Sequence, residues 1–207
     1  MPDLLERKKP SSLDGVMREA WRQLESRDLE TVARHTLGEL RDNVLEIPFL
    51  GQKYLVDFDE QVVRNANGSL ANRFFATLIL HYVVGADESN PTGELASFRD
   101  LWGGDAYYGA FVSRAIRPIR EAFTHSPEDL PALAERLGGR TADRGDVSVA
   151  IPVFPKVTLT IILWKGDDEI PGSANVLFNV LAGRILHTED LAAIGELVAN
   201  MLTSEND

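Results

Sequence analysis

The sequence predicts an α+β fold in which helices pack on an antiparallel sheet built from two β-hairpins. In residues 157–164 apolar side chains recur at every second position, which is typical of a strand. Residues 44–63 alternate in the same way on either side of a glycine-containing turn, which indicates a hairpin. Stretches with helical spacing separate these strands. Because the strands come in adjacent pairs, the sequence favours an antiparallel arrangement.

The two predicted hairpins differ in their position in the sheet. In the first, Pro48 lacks an N–H for the ladder, so its strand is expected at an edge or bulged there. In the second, residues 147–153 turn at Phe154-Pro155-Lys156 into residues 157–164. This last strand, apolar on one whole face, is predicted to lie at the centre of the sheet.

Capping residues, apolar spacing and terminating glycines predict the helices. They cover residues 12–26, 28–37, 69–84, 105–123, 126–137, 174–181 and the segment from Thr188 onward. Residues 86–104, rich in Gly, Pro, Asp and Ser, are predicted to form an extended loop, and long loops inside compact domains are often functional. We expect a flexible arm over residues 1–12 and a single domain over residues 13–207.

Composition narrows the possible functions. The net charge of −11 disfavours nucleic acid as a partner, because phosphate backbones repel an acidic surface. The absence of cysteine excludes disulfides and thiolate-bound metals or clusters in this chain. No apolar run is long enough for a membrane span and no signal peptide is evident, so a cytoplasmic location is expected by default. The oligomeric state is not predicted.

An acidic loop follows the central strand. Asp167, Asp168 and Glu169 stand together after Trp164 and Lys165-Gly166. Their oxygens suit a hard cation such as Mg²⁺ or Ca²⁺, but three consecutive side chains converge poorly on one ion. The alternative is a turn whose acids cap the following helix, for which Ser173 is the candidate N-cap.

A second candidate site lies in the glycine- and aromatic-rich part of the long loop. Its residues are Arg99, Trp102, Gly103, Gly104, Tyr107 and Tyr108. Glycines let a backbone approach a flat ligand and aromatic rings stack on it, so these residues can line a cofactor pocket, to which Trp164 would contribute from the acidic loop. The alternative is that Arg99 pairs with a loop acid while the aromatic rings fill the sheet edge.

Histidines offer little evidence of a metal site. His81 lies in the apolar helix, where a buried, hydrogen-bonded histidine is the ordinary interpretation, although one imidazole suffices as an axial ligand to a tetrapyrrole metal. The other histidines lie at predicted helix ends, and no pair has zinc-ligand spacing. The sequence has no nucleophile elbow, no phosphate-binding loop and no dinucleotide fingerprint.

Two stretches, GELASFRDLWGGDAYYGAF and FPKVTLTIILWKGDDEIPGSANVLFNVLAGRILHTEDLAAIGE, resemble the domain of unknown function 3786 family. The features that match are Phe98-Arg99, Gly103-Gly104, Tyr107 or Tyr108, Leu163-Trp164, Gly166 to Glu169, Pro171, Leu177-Phe178 and Glu189-Asp190. Ile170 replaces the usual Phe, and Asn179 stands where an Asp is common.

The resemblance indicates which proteins this family occurs beside, but it indicates no mechanism. Members of this family occur in anaerobic bacteria and archaea, beside corrinoid and one-carbon enzymes, and many are fused to a cysteine-rich iron–sulfur module. This chain has no cysteine, so a cluster would sit on a partner. The resemblance supplies no catalytic residues.

Three functional hypotheses follow. The first is a non-enzymatic accessory protein that binds a flat, corrinoid-type cofactor or docks on a corrinoid or iron–sulfur partner in one-carbon metabolism. The second is a metal-dependent enzyme using Asp167, Asp168 and Glu169. The third is a scaffold or chaperone for assembly of a partner. The first uses both loops, which we expect to meet beside one sheet and to leave a cavity between them.

Overall fold

The computed structural model describes residues 10–166, 169 and 171–204, with only the backbone at 10–12. The chain divides into two compact units. The first contains the described residues up to Asn90 together with Phe154–Lys156, and the second contains Pro91–Val153 and the described residues from Val157 on. Each unit has its own antiparallel sheet and helices, so the predicted α+β class is confirmed. The single domain over residues 13–207 stays a prediction.

The first unit contains a four-stranded sheet and three helices. The helices are α1 (Pro10–Leu24), α2 (Leu29–Thr36) and α3 (Arg73–Gly85), and the strands are β1 (Glu39–Arg41), β2 (Val44–Phe49), β3 (Gln52–Asp57) and β4 (Val62–Asn65). Successive strands pair antiparallel in the order β1-β2-β3-β4. The predicted first hairpin corresponds to β2 and β3, and residues 10–12 of the expected arm are helical.

Alternation along β2 explains the core of this unit. Leu45, Ile47 and Phe49 are buried, whereas Pro48 is exposed. β1 pairs only with Val44–Glu46, so Pro48 lies beyond the reach of β1 and its missing N–H costs no ladder bond there.

The turn Phe154–Lys156 contributes two buried side chains to the first unit. The ring of Phe154 stacks on Tyr82 at 4.3 Å between centroids, and the Tyr82 hydroxyl donates to the Thr36 carbonyl at 2.8 Å. The Lys156 ammonium, buried with its residue 2% exposed, donates to the carbonyls of Asp87 (2.7 Å) and Ser89 (2.9 Å). The turn of the second predicted hairpin therefore fastens the segment after α3.

The second unit contains a five-stranded sheet in the order β5-β9-β8-β7-β6. Its strands are β5 (Leu95–Ser97), β6 (Arg140–Thr141), β7 (Val147–Phe154), β8 (Val157–Trp164) and β9 (Ser173–Asn179). Its α-helices are α4 (Gly104–Phe111), α5 (Arg117–Phe123), α6 (Asp129–Glu135), α7 (Ala182–Ile185) and α8 (Thr188–Thr203). β8 is central, as predicted, and most of its residues are buried on both faces of the sheet.

Two predictions of local structure in this unit are wrong. The helix predicted for residues 174–181 is strand β9, because these residues return antiparallel along β8 with Val176 opposite Ile161 and Phe178 opposite Leu159. Residues 95–97 of the predicted loop form β5 on the other edge of β9. In both cases pairing with the central sheet overrides the local pattern.

A continuous helical run spans residues 104–123. α4 leads through the π-helical segment Val112–Ile116 into α5, and every junction residue keeps helical dihedral angles. Pro118 therefore does not end the helix, and the wider π turn lies just before it. At 1.5 Å per residue the run is about 30 Å long.

None of the helices described in the structure combines the length and the apolar character needed to cross a bilayer.

Candidate functional site

The glycine- and aromatic-rich residues form a surface that we call the aromatic patch: Arg99, Trp102, Gly103, Gly104, Tyr107 and Tyr108. β5, paired with β9, leads into it through the 3₁₀ turn Phe98–Asp100. The Asp100 carboxylate closes this turn by accepting from the Ser97 hydroxyl (2.8 Å) and the Ser97 N–H (3.2 Å). Phe98 is buried and stacks on Phe111 at 4.1 Å, so the entry to the patch is fixed to the core.

The glycine pair makes the sharp entry into α4. Gly103 has a φ of 74°, a left-handed conformation that favours glycine. A Cβ added at Gly104 would lie 1.9 Å from the Phe98 carbonyl oxygen, so a side chain does not fit there. The Gly104 N–H donates to the Leu101 carbonyl at 2.8 Å, and Leu101 packs against Gly183. The glycines thus bring two backbone segments into contact.

Arg99 contacts both a ring and an acid in α4. Its guanidinium carbon lies 4.2 Å from the centroid of the Tyr108 ring, and its Nε lies 3.3 Å from Asp105 Oδ1. Arg99 therefore pairs with an acid in the first turn of α4 rather than with a loop acid, and it also stacks on an aromatic ring. Both contacts are exposed, and each stabilises the fold by at most about 1 kcal/mol. The guanidinium is therefore held in place yet remains accessible to a ligand.

Trp102 is the most exposed large hydrophobic side chain described in the structure. Its residue is 92% exposed and Tyr107 is 51% exposed. The backbone of Trp102 is nonetheless anchored, because its carbonyl accepts a hydrogen bond from the Thr188 hydroxyl at the start of α8. Trp102 therefore does not fill the sheet edge. Its indole faces solvent from a fixed backbone, an arrangement typical of binding residues rather than of core residues.

The acidic loop is only partly described. Asp167 and Asp168 lie outside the described residues, and Glu169 lies in an exposed bend. Within the described ranges, no group of three His, Asp or Glu side chains is placed to hold a metal ion. The metal site predicted at these three acids therefore stays a prediction.

A pocket of about 620 Å³ adjoins this loop. It is lined by Arg120, Glu121, Thr124, His125, Gly166, Pro171 and Gly172. A Cβ added at Gly172 would lie 2.8 Å from the Thr124 Cβ, so the loop packs closely on the end of α5. Trp164 lies at the same end of the sheet, since it pairs with Ser173, and its indole borders Gly145.

The expectation that both loops line one cavity is wrong. The aromatic patch includes Gly104 at the start of the helical run 104–123, whereas Gly172 packs on Thr124 just after its end. About 30 Å of helix therefore separates the patch from the pocket. Trp164 belongs to the pocket end. His81 lies in the first unit, half-buried in α3, whereas the patch and the pocket belong to the second unit.

Three residues contribute to these places without a signal in the sequence that indicates it. His187 occupies the N-cap position of α8, and the hydroxyl of Thr188, the first helical residue, anchors Trp102. Arg120 and His125 line the pocket. No local signal in the sequence indicates that Gly166 and Gly172 lie beside them.

Comparison with known proteins agrees with the motifs. A family model described as "Domain of unknown function (DUF3786)" matches residues 28–201, which is most of the chain. No curated protein and no solved structure shows significant similarity to the chain. On the strength of the family match, the chain belongs to this family, whose domain has no assigned function.

Proposed function

We propose that the chain is a cytoplasmic, non-enzymatic accessory protein whose aromatic patch binds the exposed face of a flat, corrinoid-type cofactor. The cofactor is either free or presented by a corrinoid or iron–sulfur partner in one-carbon metabolism. The family resemblance implies partners of this kind. The observation that carries the proposal is the 92% exposure of Trp102 on an anchored backbone.

The geometry of the patch supports a flat ligand. Arg99 lies over the Tyr108 ring, so a planar cation and an aromatic face are already positioned together. Gly103 has no side chain and nothing within 4 Å of an added Cβ, so a ring system can approach the backbone there. A large flat ligand can stack on the Trp102 indole while Arg99 pairs with a peripheral carboxylate or phosphate.

The alternative function is a metal-dependent enzyme that uses Asp167, Asp168 and Glu169. The pocket beside this loop favours a ligand site there. Thermal unfolding with Mg²⁺, Mn²⁺ and Ca²⁺ tests it: an increase in Tm that D168N abolishes supports metal binding. Absence of any metal-dependent stabilisation, together with metal-free purified protein, would exclude it.

The accessory function is tested with hydroxocobalamin and with a corrinoid-loaded protein as two separate arms. Corrinoid absorption bands and co-elution on gel filtration report binding. We expect W102A and R99Q to weaken binding about tenfold or more, since a central tryptophan or arginine in an interface contributes about 2 kcal/mol or more. W164A is the matched control, because it removes another partly exposed tryptophan at the opposite end of the helical run.

The two arms separate the two sources of cofactor. A band shift with free hydroxocobalamin supports direct binding, and binding only to the loaded protein supports docking. If neither arm shows binding, or if W164A weakens it as much as W102A does, the proposed role of the patch is wrong.

A further inference from the structure

The pocket at the end of α5 carries charged groups that the proposed function does not use. Its volume of about 620 Å³ lies in the range of small-molecule sites. Arg120, in the last turn of α5, and His125, just after that helix, line it together with Gly166 and Gly172. The wall thus combines two nitrogen donors with side-chain-free backbone.

The Arg120 guanidinium makes no hydrogen bond to a described residue. It forms an exposed ion pair with the adjacent Glu121 at 3.7 Å, a separation too long for a hydrogen bond. Arg117 on the same helix donates instead to the Ser113 hydroxyl at 2.6 Å. The His125 imidazole is exposed and makes no hydrogen bond to a described residue. Arg120 therefore differs from Arg117 in lining a pocket with a guanidinium that makes no hydrogen bond to a described residue.

We infer that this pocket binds a small molecule carrying a phosphate or carboxylate group, which accepts hydrogen bonds from Arg120 and His125. An arginine fork fits either oxyanion in a bidentate manner, and the imidazole supplies a further donor. Glu121 lies beside Arg120 and opposes the negative charge of the ligand. Neutralising Arg120 should weaken binding of a negatively charged ligand, and neutralising Glu121 should strengthen it, so the two substitutions together report the sign of the ligand charge.

The experiment follows the His125 imidazole signals by NMR while inorganic phosphate, glycerol phosphate or succinate is added at constant ionic strength. Sodium chloride at equal ionic strength controls for screening, and H125Q assigns the signal. We expect a saturable shift that R120Q weakens at least about tenfold, the value of one hydrogen bond between charged groups. R117Q is the matched control and should leave binding unchanged, since it removes the same charge outside the pocket lining.

The same titrations distinguish the two oxyanion classes and can overturn the inference. Saturation with the phosphates alone assigns a phosphate ligand, and saturation with succinate alone assigns a carboxylate. E121Q should tighten binding, because it removes the opposing charge. A shift that only tracks ionic strength, equal losses for R120Q and R117Q, or weaker binding in E121Q would each show that the pocket is not an oxyanion site.

Discussion

Three glycines in and beside α4 should respond to the same substitution in three different ways. Gly104 is buried, and a Cβ there would lie 1.9 Å from the Phe98 carbonyl oxygen. Gly103 has open space around it but a φ of 74°. Gly109 lies in the helix interior, with ordinary dihedral angles and nothing within 4 Å of an added Cβ. Replacement by alanine therefore tests close packing, backbone strain and helix propensity separately.

The magnitudes follow from these contacts. At Gly104 the clashing partner is backbone, so the turn itself must move by roughly 1 Å, and G104A should lose about 3 kcal/mol of unfolding free energy or more. G103A should lose about 1 kcal/mol, the cost of a left-handed alanine. G109A should gain about 0.5–1 kcal/mol, because alanine restricts the unfolded chain and favours helix.

Urea unfolding followed by far-UV circular dichroism measures these differences, and thermal unfolding should show a fall of about 6–12 °C for G104A. W102A, which removes the side chain of a residue that is 92% exposed, serves as a control for an exposed substitution in the same unit. Two results would show that the close approach of residues 98 and 104 does not determine this turn. One is a G104A variant as stable as G109A, and the other is a larger loss of unfolding free energy in G103A than in G104A.

Three further predictions concern the first unit. Burial raises the pKa of Tyr82 above its usual value near 10. The neutral, buried phenol therefore contributes to the free energy of unfolding below pH 10, and this contribution is lost as the pH rises above 10. Y82F should lower the free energy of unfolding by about 1 kcal/mol at neutral pH, because it leaves the Thr36 carbonyl unpaired. Between pH 8 and about 11, the free energy of unfolding measured in urea should fall less steeply for Y82F than for the unsubstituted protein. N72A should cost about 1 kcal/mol in the same assay, because the Asn72 side chain accepts from the Phe74 N–H at the start of α3; N72D, which keeps a capping oxygen, serves as its control. K156M should cost about 2 kcal/mol and should increase amide hydrogen exchange over residues 87–89, since it removes two hydrogen bonds to their carbonyls; unchanged exchange would contradict this role.

Strands with strict alternation were predictable from the sequence because each faces a core on a known side. The predicted strand 157–164 coincides with β8, and the predicted hairpin over 44–63 contains β2 and β3. Helix α3 was predicted to begin at Ser69 but begins at Arg73, after the Asn72 cap. Leu70 instead bridges to Arg64 beside β4. The error is one of boundary, where several capping residues compete locally.

Strand β9 could not be predicted from its own residues. Its apolar side chains sit between a glycine-rich turn and a second apolar helix, and the run SANVLFN suits either structure by composition. What decides is the partner: β8 offers an edge along which Ser173 to Phe178 pair in register. β9 in turn supplies the edge for the short strand β5. Both strands therefore depend on long-range pairing that a local pattern does not contain.

Of the two candidate sites, one could be predicted from local sequence and the other could not. The aromatic patch was predictable, because its residues are close in sequence and glycine and aromatic side chains are informative by type. The pocket was not, because Arg120 and Gly172 are far apart in the chain and meet only when α5 packs beside the start of β9. The shared cavity failed for the same reason, since nothing local fixes the ends of a helix relative to a sheet.

The helical run 104–123 lies between the aromatic patch and the pocket, and it is fixed at both ends and in the middle. Each end of the run is held by a glycine packed against another backbone segment or side chain, Gly104 at Phe98 and Gly172 at Thr124. Its middle is fixed to α8, where Phe111 packs on Gly195. Because about 30 Å of helix lies between the two ends, the proposed ligand of the pocket and the proposed partner of the patch would not compete for space. Binding of both would therefore require no rearrangement of this unit.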